Sequence, residues 1–454
     1  METKKKASFH AEMKLFHSKN NNSSKNSRYK CFKHAIILSI SLSFLSSFII
    51  TRHKPSPIST NTISRSKPSL AVLAENRLDS SALGLFNGMR IYVYDLPARF
   101  NRNWLRSSNS ERCSSHLFAA EVAIHRALIS SEVRTLEPRD ADFFFVPVYV
   151  SCNFSEANGF PAIGHARSLI AAAIQHVSLQ FPFWNRSRGS DHVFVASHDF
   201  GSCFHTMEDR AKSEGVPEFL RNSIILQTFG VKGEHPCQEV EHVVVPPYIS
   251  PESVHATLKS SPVNGLRDIF AFFRGKMEVH PKNVSGRFYS KRVRTAILRR
   301  YGNDGRFYLR RHRFAGYQSE IARAEFCLCP LGWAPWSPRL VESVALGCVP
   351  VIIADGIRLP FPDAVPWADI SLTVAEADVD KLGGVLEHVA ATNLTAIQRN
   401  LWDPRVRKAL LFGDTVEESD ATWQVLVALS RKLDRSHKWS RRVAAALEKK
   451  HSSG

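Results

Sequence analysis

Short apolar runs and amphipathic stretches alternate along the chain from about residue 88 onward. Continuous apolar runs of this length are typical of strands that are covered on both faces of a parallel sheet. Stretches with helical apolar spacing follow many of these runs, which favours an α/β fold with crossover helices. Strands are predicted at 90–94, 142–150, 191–196, 223–228, 242–245, 268–273, 325–329, 349–353 and 370–374. Helices are predicted at 115–129, 166–179, 290–300, 339–346, 379–389 and 420–433.

The pattern is interrupted by a polar, turn-rich stretch at 248–266, which predicts a linker between two α/β units. Two such units favour a ligand cleft at the carboxyl ends of their strands. The expected domains are residues 87–255 and 256–415, followed by a C-terminal helix and tail at 416–454.

The N-terminal region has a different pattern. Residues 35–51 form an uncharged run that is long enough, at roughly 26 Å as a helix, to cross a thin bilayer. Nine basic residues lie within 1–34, so the positive-inside rule places this tail in the cytosol and the body in the lumen. We expect an uncleaved signal-anchor at 35–51 and a Ser/Pro-rich stem at 52–86. A cleavable signal peptide and a buried soluble helix are the alternatives.

Charge and cysteine content narrow the function classes. The net charge is +18, but the body lacks the dense Lys/Arg stripes of a nucleic-acid binder. Asn153, Asn185, Asn283 and Asn393 each open a glycosylation triplet, as a lumenal body requires. Seven cysteines follow the anchor, so at least one is unpaired within the chain; we expect buried thiols at Cys327 and Cys329.

The densest chemical segment is AEFCLCPLGWAPWSPRLVESVALGCVPVIIAD at 324–355. An apolar strand leads into a rigid loop, and Ser337 and Pro338 are suited to cap and open a helix. The free amides of that first turn attract anions. Arg339 and Glu342 lie in the first turns of the helix, and Gly347 is suited to end it. These groups would form a nucleotide-sugar site in which the amides and Arg339 face the diphosphate and Glu342 accepts hydrogen bonds from ribose hydroxyls. The alternative is a simple ion pair between Arg339 and Glu342.

The same segment resembles the exostosin-like glycosyltransferases of family 47. The likeness covers nearly all of residues 88–435, with RIYVYDLP, ADFFFVPVY, GSDHVFVASHDFGSCF, LQTFG and FFRGK in the family's order. QEVEHVVVPPYISPES and FRGKMEVHPKNVSGRFYSKRVRT resemble the plant irregular-xylem/fragile-fiber subgroup, whose members are described as glucuronoxylan glucuronosyltransferases.

The resemblance implies a GT-B fold, with two facing Rossmann-like domains behind the signal-anchor. It implies a Golgi, single-pass type II enzyme that transfers a sugar with inversion from a UDP-sugar, UDP-glucuronate being expected, to xylan. UDP-xylose or UDP-galacturonate as donor for the xylan reducing-end primer is the first alternative. A noncatalytic scaffold for xylan synthases is the alternative of another class. The expected partners are the UDP-sugar, a xylan or xylo-oligosaccharide acceptor, the Golgi membrane and other wall glycosyltransferases, and no nucleic acid.

The resemblance places the donor in the C-terminal unit. Arg274 and Lys276 follow the strand at 268–273, where cations could neutralise a diphosphate, together with Arg339 and Glu342. Inverting transfer needs a base, and His198 or Asp199, after the strand at 191–196, is the candidate.

Two Asp-x-Asp triplets have a spacing that many sugar transferases use for manganese. Asp140 and Asp142 precede a buried strand, and Asp378 and Asp380 open a helix, so both are interpreted as structural. We therefore expect no obligatory metal or other cofactor beyond the UDP-sugar co-substrate.

Overall fold

The computed structural model describes residues 85–106, 110–153, 155–157, 160–205, 207–277, 289–312 and 316–438. Within these ranges no helix has the length and apolar character that a membrane crossing requires. The predicted signal-anchor at 35–51, the cytosolic tail and most of the predicted stem lie outside the described residues.

Two parallel sheets form the body of the protein. The first has the strand order β2-β1-β3-β6-β7-β8 and the second β10-β9-β11-β12-β13. The strands of the first sheet are β1 Ile91–Val93, β2 Arg134–Thr135, β3 Phe143–Phe145, β6 His192–Ala196, β7 Ile224–Gln227 and β8 Val243–Val244, and β4 Ser155–Ala157 with β5 Phe160–Ala162 makes a separate antiparallel pair. Those of the second are β9 Ile269–Arg274, β10 Phe307–Arg310, β11 Ala324–Pro330, β12 Val349–Ile353 and β13 Leu372–Thr373. The expectation of two Rossmann-like domains is thus confirmed.

Helices connect and cover the strands. In chain order they are α1 Arg102–Leu105, α2 Ser110–Ser115, α3 Ala120–Ile129, α4 Ala166–Gln180, α5 Phe183–Ser187, α6 Glu208–Glu214, α7 Pro251–Ser260, α8 Val293–Tyr301, α9 Tyr317–Ala322, α10 Pro338–Ala345, α11 Trp367–Ile370, α12 Leu382–Thr392, α13 Leu394–Leu401, α14 Pro404–Lys408 and α15 Ala421–Ser430. Buried side chains of both sheets, among them Ile91, Val193, Phe272 and Val351, belong to one continuous apolar cluster. The two domains therefore share part of their core.

Three predicted elements differ clearly from the structure, and several others differ at their ends. The predicted linker contains the helix α7, which Ser250 caps by accepting a hydrogen bond from the backbone of Ser253. The predicted strand at 142–150 stops at Phe145, because Pro147 cannot donate a ladder hydrogen bond. The predicted helix at 115–129 begins only at Ala120, as α3, because residues 116–119 form a turn after α2.

Three disulfides connect six of the seven cysteines beyond residue 84: Cys113–Cys152, Cys203–Cys237 and Cys327–Cys348. The expected thiol at Cys327 is therefore wrong, while Cys329 is a buried free thiol as expected. Cys327 lies in β11 and Cys348 comes just before the neighbouring strand β12, and their Cα atoms are 5.9 Å apart.

Candidate active site

The loop and helix between β11 and β12 form as the sequence predicts. The Ser337 hydroxyl accepts a hydrogen bond from the backbone N–H of Arg339 at 3.3 Å, and Pro338 is the first helical residue of α10. Gly347 follows the helix with a φ of +74°, a left-handed conformation that favours glycine. This local geometry fixes the position of Arg339 relative to the end of β9.

Arg339 is buried at the carboxyl end of β9. Its guanidinium carbon lies 4.4 Å from the centroid of the Phe273 ring, and Nη2 donates a hydrogen bond to the carbonyl oxygen of Arg274. A Cβ at Gly275 would lie only 3.2 Å from that Nη2. Glycine at 275 therefore lets the guanidinium reach the backbone where a parallel sheet commonly binds its ligand.

Arg274 has a strong partner of its own. Its Nε and Nη2 each donate to the Glu320 carboxylate at 2.6 Å, and Nη1 donates to the carbonyl oxygen of His312 at 2.9 Å. The bond to Glu320 raises the pKa of the Arg274 guanidinium. Because Glu320 already balances this charge, Arg274 is better placed to shape the end of β9 than to neutralise a ligand; its donor-binding role stays a prediction.

Lys276 lies against two aromatic rings. Its Nζ lies 5.0 Å from the ring centroid of Tyr289 and 5.6 Å from that of Trp333, within cation–π range. The side chain is half-buried. Lys276 therefore brings a positive charge close to the loop that opens α10, as a diphosphate site needs.

Arg294 is a second buried cation, which the sequence analysis missed. From α8 it donates through Nε to the carbonyl oxygen of Leu331 at 2.9 Å and through Nη2 to that of Pro330 at 3.1 Å. Its Nη1 donates to the Tyr289 hydroxyl at 2.7 Å. These bonds hold the end of β11 and the Tyr289 ring beneath Lys276.

Glu342 lies one helical turn after Arg339 on α10 and is also buried. Its backbone carbonyl accepts the N–H of Leu346 at 3.0 Å near the end of the helix. The structure thus places Arg339 and Glu342 on the same short helix, as the sequence indicates, and the ribose role of Glu342 stays a prediction.

The predicted base candidates lie after β6, in the first domain. His198 is buried, with its ring stacked 4.8 Å from the Phe118 ring. The carbonyl oxygen of Asp199 accepts a hydrogen bond from Nε1 of Trp336 at 3.2 Å. Since Trp336 belongs to the loop before α10, the base candidates of one domain meet the donor-side loop of the other.

The Asp199 carboxylate makes no hydrogen bond or ion pair within the described part of the chain. The side chain keeps some solvent-accessible surface, but the surrounding protein raises the pKa of Asp199 to about 7. A carboxylate with this pKa exchanges a proton readily near neutral pH, which is the property of a general base.

Glu121 supports this loop from α3 and was also missed by sequence analysis. Its carboxylate accepts the Ser151 N–H at 3.0 and 3.2 Å and the Ser197 hydroxyl at 3.2 Å. Burial raises the pKa of Glu121 to about 8, although these hydrogen bonds lower it in part. The sequence did contain a signal for Glu121, because a charged residue stands there on the apolar face of the helix predicted at 115–129.

Glu121 is expected to make stability fall as pH rises. The folded protein keeps the Glu121 proton up to about pH 8, whereas an unfolded glutamate loses it near 4.5, so the folded state binds more protons between these values. Urea unfolding at pH 5 and pH 8 should show that Glu121→Gln loses less stability over this interval than the parent chain. The exposed Glu239→Gln variant is the control, and equal losses in all three proteins would contradict the assignment.

The other predicted residues are scattered. Asn185 and Asn393 are exposed, as acceptors of glycosylation must be. Asn283 lies outside the described residues, and the structure places Asn153 in a short 3₁₀ turn.

Both Asp-x-Asp triplets hold an aspartate with a protein partner: Asp142 accepts the backbone N–H of Arg90 at 2.8 Å, and Asp378 pairs with Lys381 at 2.7 Å. No cluster of metal-ligating side chains occurs in the ranges that the structure covers.

Comparison with known proteins identifies the family. Residues 86–389 match the exostosin GT47 domain, so the chain belongs to this family of glycosyltransferases and is an enzyme of that class. Among its relatives is the "Probable glucuronoxylan glucuronosyltransferase IRX7" of Arabidopsis thaliana, 65% identical over 89% of this chain and 94% of the relative. A second probable glucuronoxylan glucuronosyltransferase of the same plant is 64% identical over 88% of this chain and 87% of the relative.

Solved structures are less similar. Anabaena Alr3699/HepE, solved in complex with UDP-glucose, is 10% identical, with a TM-score of 0.34 over 76% of this chain and 99% of that chain. At this level of likeness it says nothing about the ligand of this chain.

Proposed function

We propose that the protein is a Golgi membrane-anchored, inverting glycosyltransferase of the GT-B type, which uses UDP-glucuronate in glucuronoxylan synthesis. The proposed reaction depends on one observation: the backbone of Asp199 is hydrogen-bonded to Trp336, in the loop that leads to Arg339. A base candidate and a cationic donor-side site therefore adjoin across the contact between two Rossmann-like domains. The names of the 65% and 64% identical relatives support the xylan context.

The reaction follows from these groups. Lys276, Arg339 and the first amides of α10 would neutralise the diphosphate, and Glu342 would accept hydrogen bonds from ribose hydroxyls. Asp199 would take the proton from an acceptor hydroxyl while its oxygen forms the new bond to the anomeric carbon. The bond to UDP breaks on the opposite face, and the electron pair leaves with the diphosphate. We assign the base to Asp199 because His198 is buried against Phe118.

The compartment is part of the proposal. Three disulfides are typical of an oxidising environment such as the secretory pathway. The basic tail and apolar run of the sequence support a type II orientation with a lumenal body. Glycosylation at Asn185 and Asn393 would be compatible with their exposure.

The test is a donor screen with the full-length chain in detergent. UDP-glucuronate, UDP-xylose and UDP-galacturonate would each be offered with xylo-oligosaccharides and with reducing-end primer fragments. We expect transfer from UDP-glucuronate to be fastest. Faster transfer from either other donor would contradict the donor assignment. A folded protein that transfers from none of them, and that UDP does not protect against thermal unfolding, would support a scaffold instead.

A further inference from the structure

A large cavity lies away from the predicted donor residues. Its volume is about 1050 Å³, and its walls come from the segment at 232–244, the loop at 354–364 after β12, residues 367–378 and the helix α15 with the two residues after it. It adjoins the β8 edge of the first sheet and the β12–β13 end of the second, whereas Lys276 and Arg339 lie near β9 and β11. None of the predicted catalytic or donor-binding residues lines it.

Two cations on its wall flank a backbone bridge, with Lys232 opposite Gly356 and Arg358 opposite Gly230. Val231 and Ile357 form an isolated antiparallel bridge between the domains, which places Lys232 and Arg358 next to it. The N–H of Arg358 donates to the carbonyl oxygen of Gly230 at 2.9 Å, which fixes its position. Neither the Lys232 nor the Arg358 side chain makes a hydrogen bond or ion pair with any residue that the structure describes.

The other charges on the wall are balanced by ion pairs, except that of Asp355. Arg431 pairs with Asp363, and Lys432 pairs with Glu241 at 2.9 Å. Asp378 pairs with Lys381 at 2.7 Å, and Asp355 accepts the backbone N–H of Glu376 at 3.0 Å. The two positive charges of Lys232 and Arg358 therefore outweigh the one negative charge of Asp355, and the wall keeps a positive excess.

The buried His242 adds a neutral polar group to the same wall. Its Nδ1 accepts the backbone N–H of Glu239 at 3.1 Å, which leaves the ring proton on Nε2, and Nε2 has no partner among the described residues. Burial, Lys432 and Arg358 lower the pKa of His242 to about 3, so the ring carries no charge at neutral pH.

We propose that this cavity binds a uronate-bearing stretch of a saccharide chain, with Lys232 and Arg358 holding the uronate carboxylate. A cavity of this size has room for several sugar rings. Long cationic side chains such as these form strong, charge-assisted hydrogen bonds to a carboxylate that lies between them. The preference for an anion is inferred from the cations on the cavity wall. The choice of a saccharide as the ligand depends on the proposed function.

The test compares two ligands on the full-length protein. A neutral xylo-oligosaccharide and the same oligosaccharide carrying one glucuronate are titrated by calorimetry, with UDP as a separate ligand. We expect the acidic ligand to bind roughly tenfold or more tightly than the neutral one. The double variant Lys232→Gln, Arg358→Gln should lose that preference while its affinity for UDP stays unchanged.

A matched control replaces two exposed cations elsewhere, Lys259→Gln with Arg139→Gln, and should keep the preference. An unmodified chain that binds both oligosaccharides equally, or a cavity variant that keeps the preference, would overturn the inference. Loss of UDP affinity in the cavity variant would also overturn it, because the cavity would then belong to the donor site. A further outcome is that the protein transfers no UDP-sugar and still prefers the acidic oligosaccharide, with that preference lost in the cavity variant. In that case the proposed function is contradicted and the carboxylate site is supported.

Discussion

Replacement of Asp199 by asparagine is expected to reduce the rate of sugar transfer by about 10²- to 10⁴-fold, the usual contribution of a general base. Asparagine keeps the size of the side chain but cannot accept the proton of the acceptor hydroxyl. The Asp199 carboxylate has no bonded partner in the part of the chain that the structure describes, so we expect the fold to be unaffected. The affinity for UDP should therefore be retained, and calorimetry alongside single-turnover kinetics would separate the two effects.

The pH profile provides a second readout of the same residue. Since burial raises the pKa of Asp199 to about 7, the carboxylate becomes available as a base only as pH rises through that value. With saturating donor, the rate should increase about tenfold per pH unit below 7 and level off above it. Asp209→Asn, at an exposed position, is the control and should keep both rate and profile. Undiminished turnover in Asp199→Asn would exclude Asp199 as the base and direct attention to His198.

Replacement of Arg339 by glutamine is expected to weaken UDP binding by roughly 10- to 100-fold, the effect of losing a charge-assisted hydrogen bond. Arg339 lies at the carboxyl end of β9, where its charge can reach the diphosphate. Uridine carries no phosphate, so its weaker binding should change little. The ratio of UDP to uridine affinity, measured by calorimetry, is therefore the decisive quantity.

Arg339 is buried, so the variant also needs a check of its stability. Arg323→Gln serves as the control, because Arg323 pairs with Asp268 on the surface, away from α10. An equal loss of affinity for UDP and uridine, in a folded protein, would show that Arg339 shapes the site without acting on the diphosphate.

Local sequence signals predicted the fold well where they were strong. The predicted strand at 349–353 is β12 to the residue, and the helix at 339–346 differs from α10 by one residue at each end. The helix α7 was missed although Ser250, Pro251 and Glu252 are favourable N-terminal residues. Val254 is its single buried residue, so the segment lacks the apolar face on which helix prediction depends. The strand β10 was missed at the edge of its sheet, where it has four residues and only Phe307 and Leu309 are buried.

The candidate site was predictable only where its residues lie in one segment. Arg339 and Glu342 are three residues apart, and Asp199 follows a clear strand. By contrast, Arg274 pairs with Glu320 across 46 residues, and Glu121 binds Ser197 across 76. Such pairs depend on the packing of distant elements, which spacing along the chain does not encode. The same reason explains the misassigned Cys327, whose partner Cys348 lies just before the neighbouring strand β12.

A crystal structure of the protein with bound UDP tests the central claim most directly. The account predicts the diphosphate within hydrogen-bonding distance of Lys276 and Arg339, and the ribose hydroxyls within reach of Glu342. UDP held instead by Lys232 and Arg358 in the cavity beside β8, or bound away from α10, would contradict it.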